Sequence, residues 1–314
     1  MKIGLLLPQG WKSEYAGLSP EVAWATTARL AGQADRLGFE SVWLFDHFHT
    51  VPEPAEEVSF EALSSLAALA ATTRRVRLGT LVACAGFRNP ALLAKMAGTI
   101  DTISGGRFEL GIGAGWKEDE WLAYGYGFPS LHERLDALGE ALEVLRRMLG
   151  PGRATFEGRH LRVRGAINVP RGLQQPRVPI LVGGNGRNVT WRLAARFADE
   201  LNLVFLAPDE VREDLPIVRE RCLEEGRDPA SLRVSLYLRD QDVQEAGPAR
   251  SDLLAELASL GLDRVVAFVN RRSQAPEVQE AFAEDVRAAG LELAPPEPET
   301  WGGPEPEEAV AGVR

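Results

Sequence analysis

Strand-like and helix-like patterns alternate along almost the whole of this 314-residue chain. Short apolar runs, which predict buried strands, are each followed by a longer segment with apolar residues at helical spacing. The predicted strands cover residues 2–7, 41–45, 76–82, 107–112, 180–182, 201–206, 233–238 and 264–269. Strands that alternate with helices predict a parallel sheet. Eight such units without a break in composition favour a closed α/β barrel, the (β/α)8 or TIM barrel.

The alternative fold is an open, doubly wound sheet of the Rossmann type. Its dinucleotide-binding signature, G-x-G-x-x-G, would directly follow the first strand. The residues that follow positions 2–7 read PQGWKSE and contain no such motif. The sequence therefore favours the closed barrel.

One region interrupts the alternation after the fourth strand and its helix. Residues 151–177 contain TFEGRHLRV, in which a glycine separates two strand-like runs, and this pattern predicts a hairpin. We interpret the region as an insertion into a single barrel domain that covers residues 1–294. The remaining residues, 295–314, are rich in Pro, Glu and Gly, a composition that predicts a disordered tail.

The bulk composition excludes several classes of partner. The net charge is −10, which disfavours nucleic acid or an anionic membrane surface, because both need a basic face. Cys84 and Cys222 lie far apart and suggest neither a metal site nor a disulfide framework. No apolar run approaches membrane-spanning length. We expect a cytoplasmic protein that acts on a small molecule, without a metal.

The second predicted strand ends in Asp46 and His47, and barrel enzymes carry their chemistry at such carboxyl ends. Histidine titrates near neutral pH, so it can transfer a proton or bond a cofactor ring. An adjacent aspartate can fix the tautomer of that ring or bond the cofactor itself. A purely structural hydrogen bond is the alternative. We predict that His47 and Asp46 are catalytic.

The fourth predicted strand ends in Gly113, Ala114, Gly115 and Trp116. Glycine has no Cβ, so the backbone can approach a ligand closely at such a turn. Trp116 can stack on a ring-shaped ligand, or it can fill the core. The three acidic residues 118–120 that follow complement the dipole of the next helix, and we assign them no catalytic role. This turn is predicted to bind a cofactor.

The fifth predicted strand ends in a second glycine turn, formed by Gly183, Gly184, Asn185 and Gly186, with Arg187 directly after it. Free backbone N–H groups at such a turn, at the start of a helix, bind anions. A plain glycine-rich turn without a ligand is the alternative. We predict that this turn holds a phosphate group and that Arg187 adds positive charge.

Four stretches together resemble the bacterial luciferase-like flavin and deazaflavin oxidoreductases, and within them the coenzyme F420-dependent branch. They are FDHFHTVPEP, RVRLGTLV followed by FRNPALLAKMAGTIDTISGGR, ELGIGAGWKEDEWLAYGY, and ILVGGNGRNVTWRLAARFADELN. The resemblance covers residues 1–290 as one continuous pattern. It implies a barrel with an insertion, a redox cofactor at the carboxyl-terminal mouth, and a homodimer.

The resemblance also implies where the cofactor binds. Leu81 and Val82 match a position behind the cofactor ring where the family often has a non-proline cis peptide. Ala83 follows them and is one of several small residues that let the backbone approach a flat ring. The positions expected to bind the cofactor are thus Leu81, Val82, Ala83, Gly113, Ala114, Gly115, Trp116, Gly183, Gly184, Asn185, Gly186 and Arg187.

The function implied by the resemblance is hydride transfer between coenzyme F420 and an unsaturated or carbonyl-bearing small organic substrate. One alternative is an FMN-dependent luciferase-like monooxygenase, and another is a flavin- or deazaflavin-binding protein without catalytic activity. Sugar-phosphate dehydrogenases of the family carry a glutamate directly after the fourth-strand glycines, where this chain has Trp116.

Overall fold

Eight parallel strands pair edge to edge and close into a barrel in the computed structural model, which describes residues 1–294. The barrel strands are β1 (Lys2–Leu6), β2 (Ser41–Leu44), β3 (Arg77–Thr80), β5 (Phe108–Gly113), β8 (Ile180–Gly183), β9 (Glu200–Val204), β10 (Arg233–Tyr237) and β11 (Arg264–Ala267). Each pairs with the next along the chain, and β11 returns to β1. The predicted (β/α)8 barrel is confirmed.

The third predicted strand is shorter than expected. It ends at Thr80, and a two-residue strand, β4 (Ala83–Cys84), then pairs with the end of β5. Between them the peptide bond that joins Leu81 to Val82 is cis. The sequence predicts one strand over residues 76–82. In the structure the strand ends at Thr80, although the Leu81 amide still donates a hydrogen bond to the Leu44 carbonyl oxygen at 2.8 Å.

Helices cover the outside of the barrel. They are α1 (Pro20–Leu37), α2 (Ala62–Thr72), α3 (Pro90–Ile103), α4 (Glu118–Ala123), α5 (Leu131–Leu149), α6 (Thr190–Phe197), α7 (Pro208–Glu224), α8 (Pro248–Ser259) and α9 (Glu277–Ala288). Their ends follow local sequence signals. Ser130 and Glu133 form a capping box at the start of α5, and Gly38 takes the left-handed conformation that ends α1. None of the described helices has the length and apolar character needed to cross a bilayer.

The predicted insertion is present as an antiparallel hairpin, formed by β6 (Arg153–Glu157) and β7 (Arg162–Ile167). The buried side chain of Asn168 fixes the end of the hairpin to the barrel helices. Its amide donates hydrogen bonds to the carbonyl oxygens of Ala94 in α3 and Met148 in α5. The predicted disordered tail, residues 295–314, lies outside the described residues.

Apolar side chains of residues 1–294 form three clusters, and the two largest are layers of the barrel. The larger layer lies between strands and helices, where Leu30, Leu66 and Phe282 are fully buried. The smaller layer fills the inside of the barrel around Trp43 and Leu181. This inner layer occupies the middle of the barrel, so that the two ends are left for polar groups.

The amino-terminal end of the barrel is closed by a buried network of charges. The Arg264 guanidinium contacts the carboxylates of Glu109 and Glu200 at 2.9 and 3.1 Å, and Arg77 also pairs with Glu109. Burial alone would raise the pKa of Glu109, but Arg264 and Arg77 outweigh it and lower the pKa to about 2. Because folding lowers this pKa from 4.5, the stabilisation is present above pH 4.5 and is lost as the pH falls towards 2.

We predict that Arg264→Met strongly destabilises the barrel, because it leaves Glu109 and Glu200 buried without their main cation. The expected loss in the free energy of unfolding is about 3–5 kcal/mol, measured by urea denaturation. The control is Arg162→Met, since Arg162 pairs with Glu157 on the surface. That change should cost about 0–1 kcal/mol. Equal losses in both variants would contradict a structural role for the network.

Candidate active site

A cavity of about 980 Å³ opens at the carboxyl-terminal end of the barrel. Most of the predicted site residues line it, and they come from several strand ends. The lining residues that were predicted are Asp46, His47, Leu81, Val82, Ala83, Gly113, Ala114, Gly115, Trp116, Gly183, Gly184 and Gly186. Asn185 and Arg187 are not among the residues that line it.

His47 is held by a carboxylate that the sequence did not single out. Its Nδ1 lies 2.6 Å from Oε2 of Glu120, and Oε1 of Glu120 accepts a hydrogen bond from the amide of Phe48 at 2.9 Å. Glu120 is fully buried. Because a carboxylate only accepts, we infer that Nδ1 carries the proton and that Nε2 is the nitrogen available to a bound molecule.

Glu120 is hard to recognise in the sequence, because its position there is typical of any helix start. It is the last of three acidic residues in the first turn of α4, where any carboxylate complements the helix dipole. Its partner lies 73 residues away in the chain. Only the folded structure separates it from its exposed neighbour Glu118.

Two indole rings and one ammonium group lie beside the imidazole. The Trp11 ring stacks on His47 with 3.9 Å between ring centroids, and the Lys12 ammonium lies 4.4 Å from the Trp11 centroid. Trp116 meets His47 edge-on at 5.8 Å. The rings of Trp11, His47 and Trp116, together with the Lys12 ammonium on Trp11, form a set that we call the aromatic row. All four side chains line the cavity. The row restricts how the imidazole can turn.

Asp46 has a different role from the one expected beside His47. Its Oδ2 accepts hydrogen bonds from the Cys84 amide at 2.8 Å and from Arg88 at 2.6 Å, and its Oδ1 accepts from Arg88 at 2.9 Å. The expectation that Asp46 fixes the His47 ring is wrong, because its carboxylate bonds Cys84 and Arg88 while Glu120 holds Nδ1 of His47. Asp46 instead fixes the segment that follows the Leu81–Val82 bond.

Val82 and two glycines form one wall of the cavity. An added Cβ at Gly113 or at Gly183 would lie 2.9 Å from a methyl carbon of Val82. Side chains at these two positions would therefore displace Val82. The glycines predicted to lie near a cofactor thus let three strand ends pack closely and leave a smooth surface.

The second glycine turn has the donors that a phosphate group needs. The Gly184 amide is bonded to the Asn202 carbonyl oxygen at 3.0 Å. In the part of the chain that the structure describes, the amides of residues 185–189 have no hydrogen-bond partner, and α6 begins directly after them. Thr190, at the start of α6, lines the cavity. This donor set fits an anionic group.

The two remaining residues of the second glycine turn, Asn185 and Arg187, contact other parts of the protein and do not line the cavity. The Asn185 amide group bonds both the carbonyl oxygen and the N–H of Val204, at 2.8 and 2.9 Å, and so joins the turn to β9. The Arg187 guanidinium pairs with Asp214 of α7 at 2.6 Å. The Asn185 side chain is thus held by β9, and the half-exposed Arg187 side chain is paired with α7.

Comparison with known proteins assigns the family. Residues 1–308 match the family described as luciferase-like monooxygenase. The chain belongs to the luciferase-like family. An F420-dependent glucose-6-phosphate dehydrogenase of Intrasporangium calvum is 36% identical over 197 residues, 62% of this chain and 57% of the relative. The match therefore spans little more than half of that relative's length.

Solved luciferase-like structures share the fold at low sequence identity. An F420-dependent secondary alcohol dehydrogenase, in complex with an F420-acetone adduct, superposes with a TM-score of 0.76 at 20% identity and covers 92% of this chain and 98% of its own. The oxygenating constituent of the 3,6-diketocamphane monooxygenase of Pseudomonas putida, in complex with FMN, has a TM-score of 0.70 at 17% identity. The coverage is 94% of this chain and 99% of that one.

We predict that Glu120→Ala lowers stability, because it leaves the His47 ring and the Phe48 amide without their acceptor. The expected loss is about 1–3 kcal/mol in the free energy of unfolding, measured by urea denaturation. Glu118→Ala removes an exposed carboxylate from the same helix turn and is the matched control, with an expected change within about 0.5 kcal/mol. A loss no larger than that of the control would show that the buried bonds contribute little.

Proposed function

We propose that this luciferase-like protein is an oxidoreductase that transfers a hydride between coenzyme F420 and a small organic substrate with a carbonyl or carbon–carbon double bond. The observation that carries the proposal is His47, fixed through Nδ1 by buried Glu120, with Nε2 left for a bound molecule. It lies in the cavity that also holds the glycine wall and the glycine turn.

The relative in Intrasporangium calvum supports coenzyme F420 as the cofactor, since its name describes an F420-dependent enzyme. The fold by itself does not distinguish the cofactors, because similar barrels are found with F420 and with FMN. FMN-dependent monooxygenation is therefore the second candidate. A flavin- or deazaflavin-binding protein without catalytic activity is the third candidate. The buried pairing of His47 with Glu120 argues against it.

In this proposal the free amides of residues 185–189 and the start of α6 hold the phosphate of the cofactor. Val82, Gly113 and Gly183 provide the surface for its ring. When bound in its reduced form, F420 supplies the hydride. The chain itself supplies the proton: His47 donates it from Nε2 to the substrate oxygen as the carbonyl becomes an alcohol.

Glu120 stabilises the positive charge that His47 carries before it donates the proton. The buried ring of Trp11 stacks on one face of the imidazole and keeps water from that face, and Trp116 meets the imidazole edge-on. Trp116 stands where sugar-phosphate dehydrogenases of the family have a glutamate, so we do not propose glucose 6-phosphate as the substrate. The homodimer and the cytoplasmic location remain predictions.

We predict that the protein binds F420 more tightly than FMN, as measured by quenching of its tryptophan fluorescence, to which Trp11 and Trp116 in the cavity contribute. In Gly186→Ala, F420 binding should weaken at least about tenfold, or about 1.4 kcal/mol. The added Cβ would lie 2.5 Å from Oγ1 of Thr190, inside the proposed phosphate site.

Gly32→Ala, in α1, is the matched control and should bind F420 normally. Tighter binding of FMN with oxygen consumption would favour the monooxygenase. If neither cofactor bound, the proposed phosphate site would be wrong.

We predict that His47→Gln lowers the turnover number by about 10²–10⁴-fold, because the variant cannot donate a proton from Nε2. The F420 dissociation constant should change far less, since the glutamine amide can still bond Glu120. The assay follows the oxidation of reduced F420 by a panel of ketones, aldehydes and enones. His132→Gln changes an exposed histidine and is the control. Unchanged turnover in His47→Gln would remove His47 from the mechanism.

A further inference from the structure

Two basic side chains line the cavity on the side opposite the glycine turn. Lys12 follows β1, and Arg271 ends a short 3-10 helix, Val269–Arg271, that follows β11. Strands β1 and β11 are neighbours in the barrel, whereas β8, which ends in the glycine turn, lies four strands from β1 in either direction. A cofactor phosphate at the turn therefore leaves these two cations free for another ligand.

Among residues 1–294, Asp240 is the carboxylate that forms ion pairs with both cations. Oδ2 of Asp240 lies 2.8 Å from a guanidinium nitrogen of Arg271 and 3.8 Å from Nζ of Lys12. Oδ1 of Asp240 accepts a hydrogen bond from the Tyr237 hydroxyl at 2.6 Å. One positive charge is therefore left over in this group.

Of the two cations, Lys12 has the weaker contact with the Asp240 carboxylate. Within residues 1–294 its ammonium donates no hydrogen bond to a protein atom, although its side chain is only 17% exposed. Burial lowers the pKa of Lys12, and Asp240 partly offsets this. Lys117, which also lines the cavity, differs because its ammonium bonds both oxygens of Asp119 at 2.8 and 2.6 Å.

A second acid near Lys12, Glu14, is held by the backbone and does not bond the Lys12 ammonium. Its carboxylate accepts hydrogen bonds from the backbone amides of Lys12, at 2.6 Å, and of Gln9. Burial raises the pKa of Glu14, which opposes its ionisation. The cavity thus presents the ammonium of Lys12 and the guanidinium of Arg271 to a ligand, whereas Glu14 and Asp240 lie outside its lining.

We propose that the substrate carries a carboxylate group, which binds Lys12 and Arg271 while its carbonyl or double bond lies at His47. The aromatic row connects the two places, because Trp11 contacts both Lys12 and His47. A monoanion matches the single surplus charge better than a phosphate dianion does. The apolar side chains of Leu131 and Leu135, which also line the cavity, suit a hydrocarbon body. The placement of the reacting group rests on the proposed function.

The test is a calorimetric titration of the full chain, without cofactor, with benzoate, benzamide and phenyl phosphate. Benzoate should bind at least about tenfold more tightly than its neutral isostere benzamide. Phenyl phosphate can also bind the glycine turn, so its binding should not depend on Lys12. Lys12→Gln and Arg271→Gln should each remove most of the preference for benzoate over benzamide. Lys12→Arg should retain it, and Arg272→Gln, which changes an exposed neighbouring arginine, should leave it unchanged.

Equal binding of benzoate and benzamide, or a preference that survives Lys12→Gln, would overturn the proposal. If phenyl phosphate binds more tightly than benzoate and loses that binding in Lys12→Gln, the assignment of a carboxylate is overturned. F420 titrations of Lys12→Gln and Arg271→Gln should match the unmodified chain, and weaker F420 binding would mean that the cations serve the cofactor. Failure of the unmodified chain to bind F420, with the benzoate preference intact, would refute the cofactor assignment and leave the carboxylate site standing.

Discussion

The buried contact between Arg264 and two carboxylates determines which end of this barrel can bind a ligand. Arg264, Glu200 and Glu109 lie at or near the amino-terminal starts of three different strands, and Arg77 and Arg233 add charge from two more. Together they fill that end of the barrel with paired ions, and Trp43 packs under the Arg264 guanidinium. Free volume is left at the carboxyl-terminal end, where eight loops can place side chains around it.

The strands, most helices and the insertion could be predicted because their signals are local. Apolar runs, helical spacing and capping residues such as Ser130 depend on neighbours in the sequence, and they remain valid after folding. The glycines of the two turns were also recognisable, since repeated residues without Cβ at a strand end indicate a close approach of the backbone to another group. His47 stood out as a titratable residue at the end of an apolar strand.

Contacts between residues far apart in the chain could not be predicted from the sequence. Glu120 resembles any helix-starting acid, and Trp11 and Lys12 lie in a loop whose path the sequence does not specify. Asp46 is next to His47 in the sequence, yet its side chain bonds Cys84 and Arg88, because neighbours in the chain need not contact each other. Asn185 and Arg187 belong to the predicted turn, yet their side chains hold it from behind. In each case a long-range contact decides the role of the residue.

The side chains that line the cavity leave His47 as the residue best suited to exchange a proton near neutral pH. The carboxylates of Asp46 and Glu120 are fully engaged by donors of the protein. Burial raises the pKa of the Cys84 thiol to about 12, and it also raises the pKa of Tyr237. We therefore expect the imidazole, whose orientation Glu120 and Trp11 fix from two sides, to supply the proton that a reaction in this cavity needs.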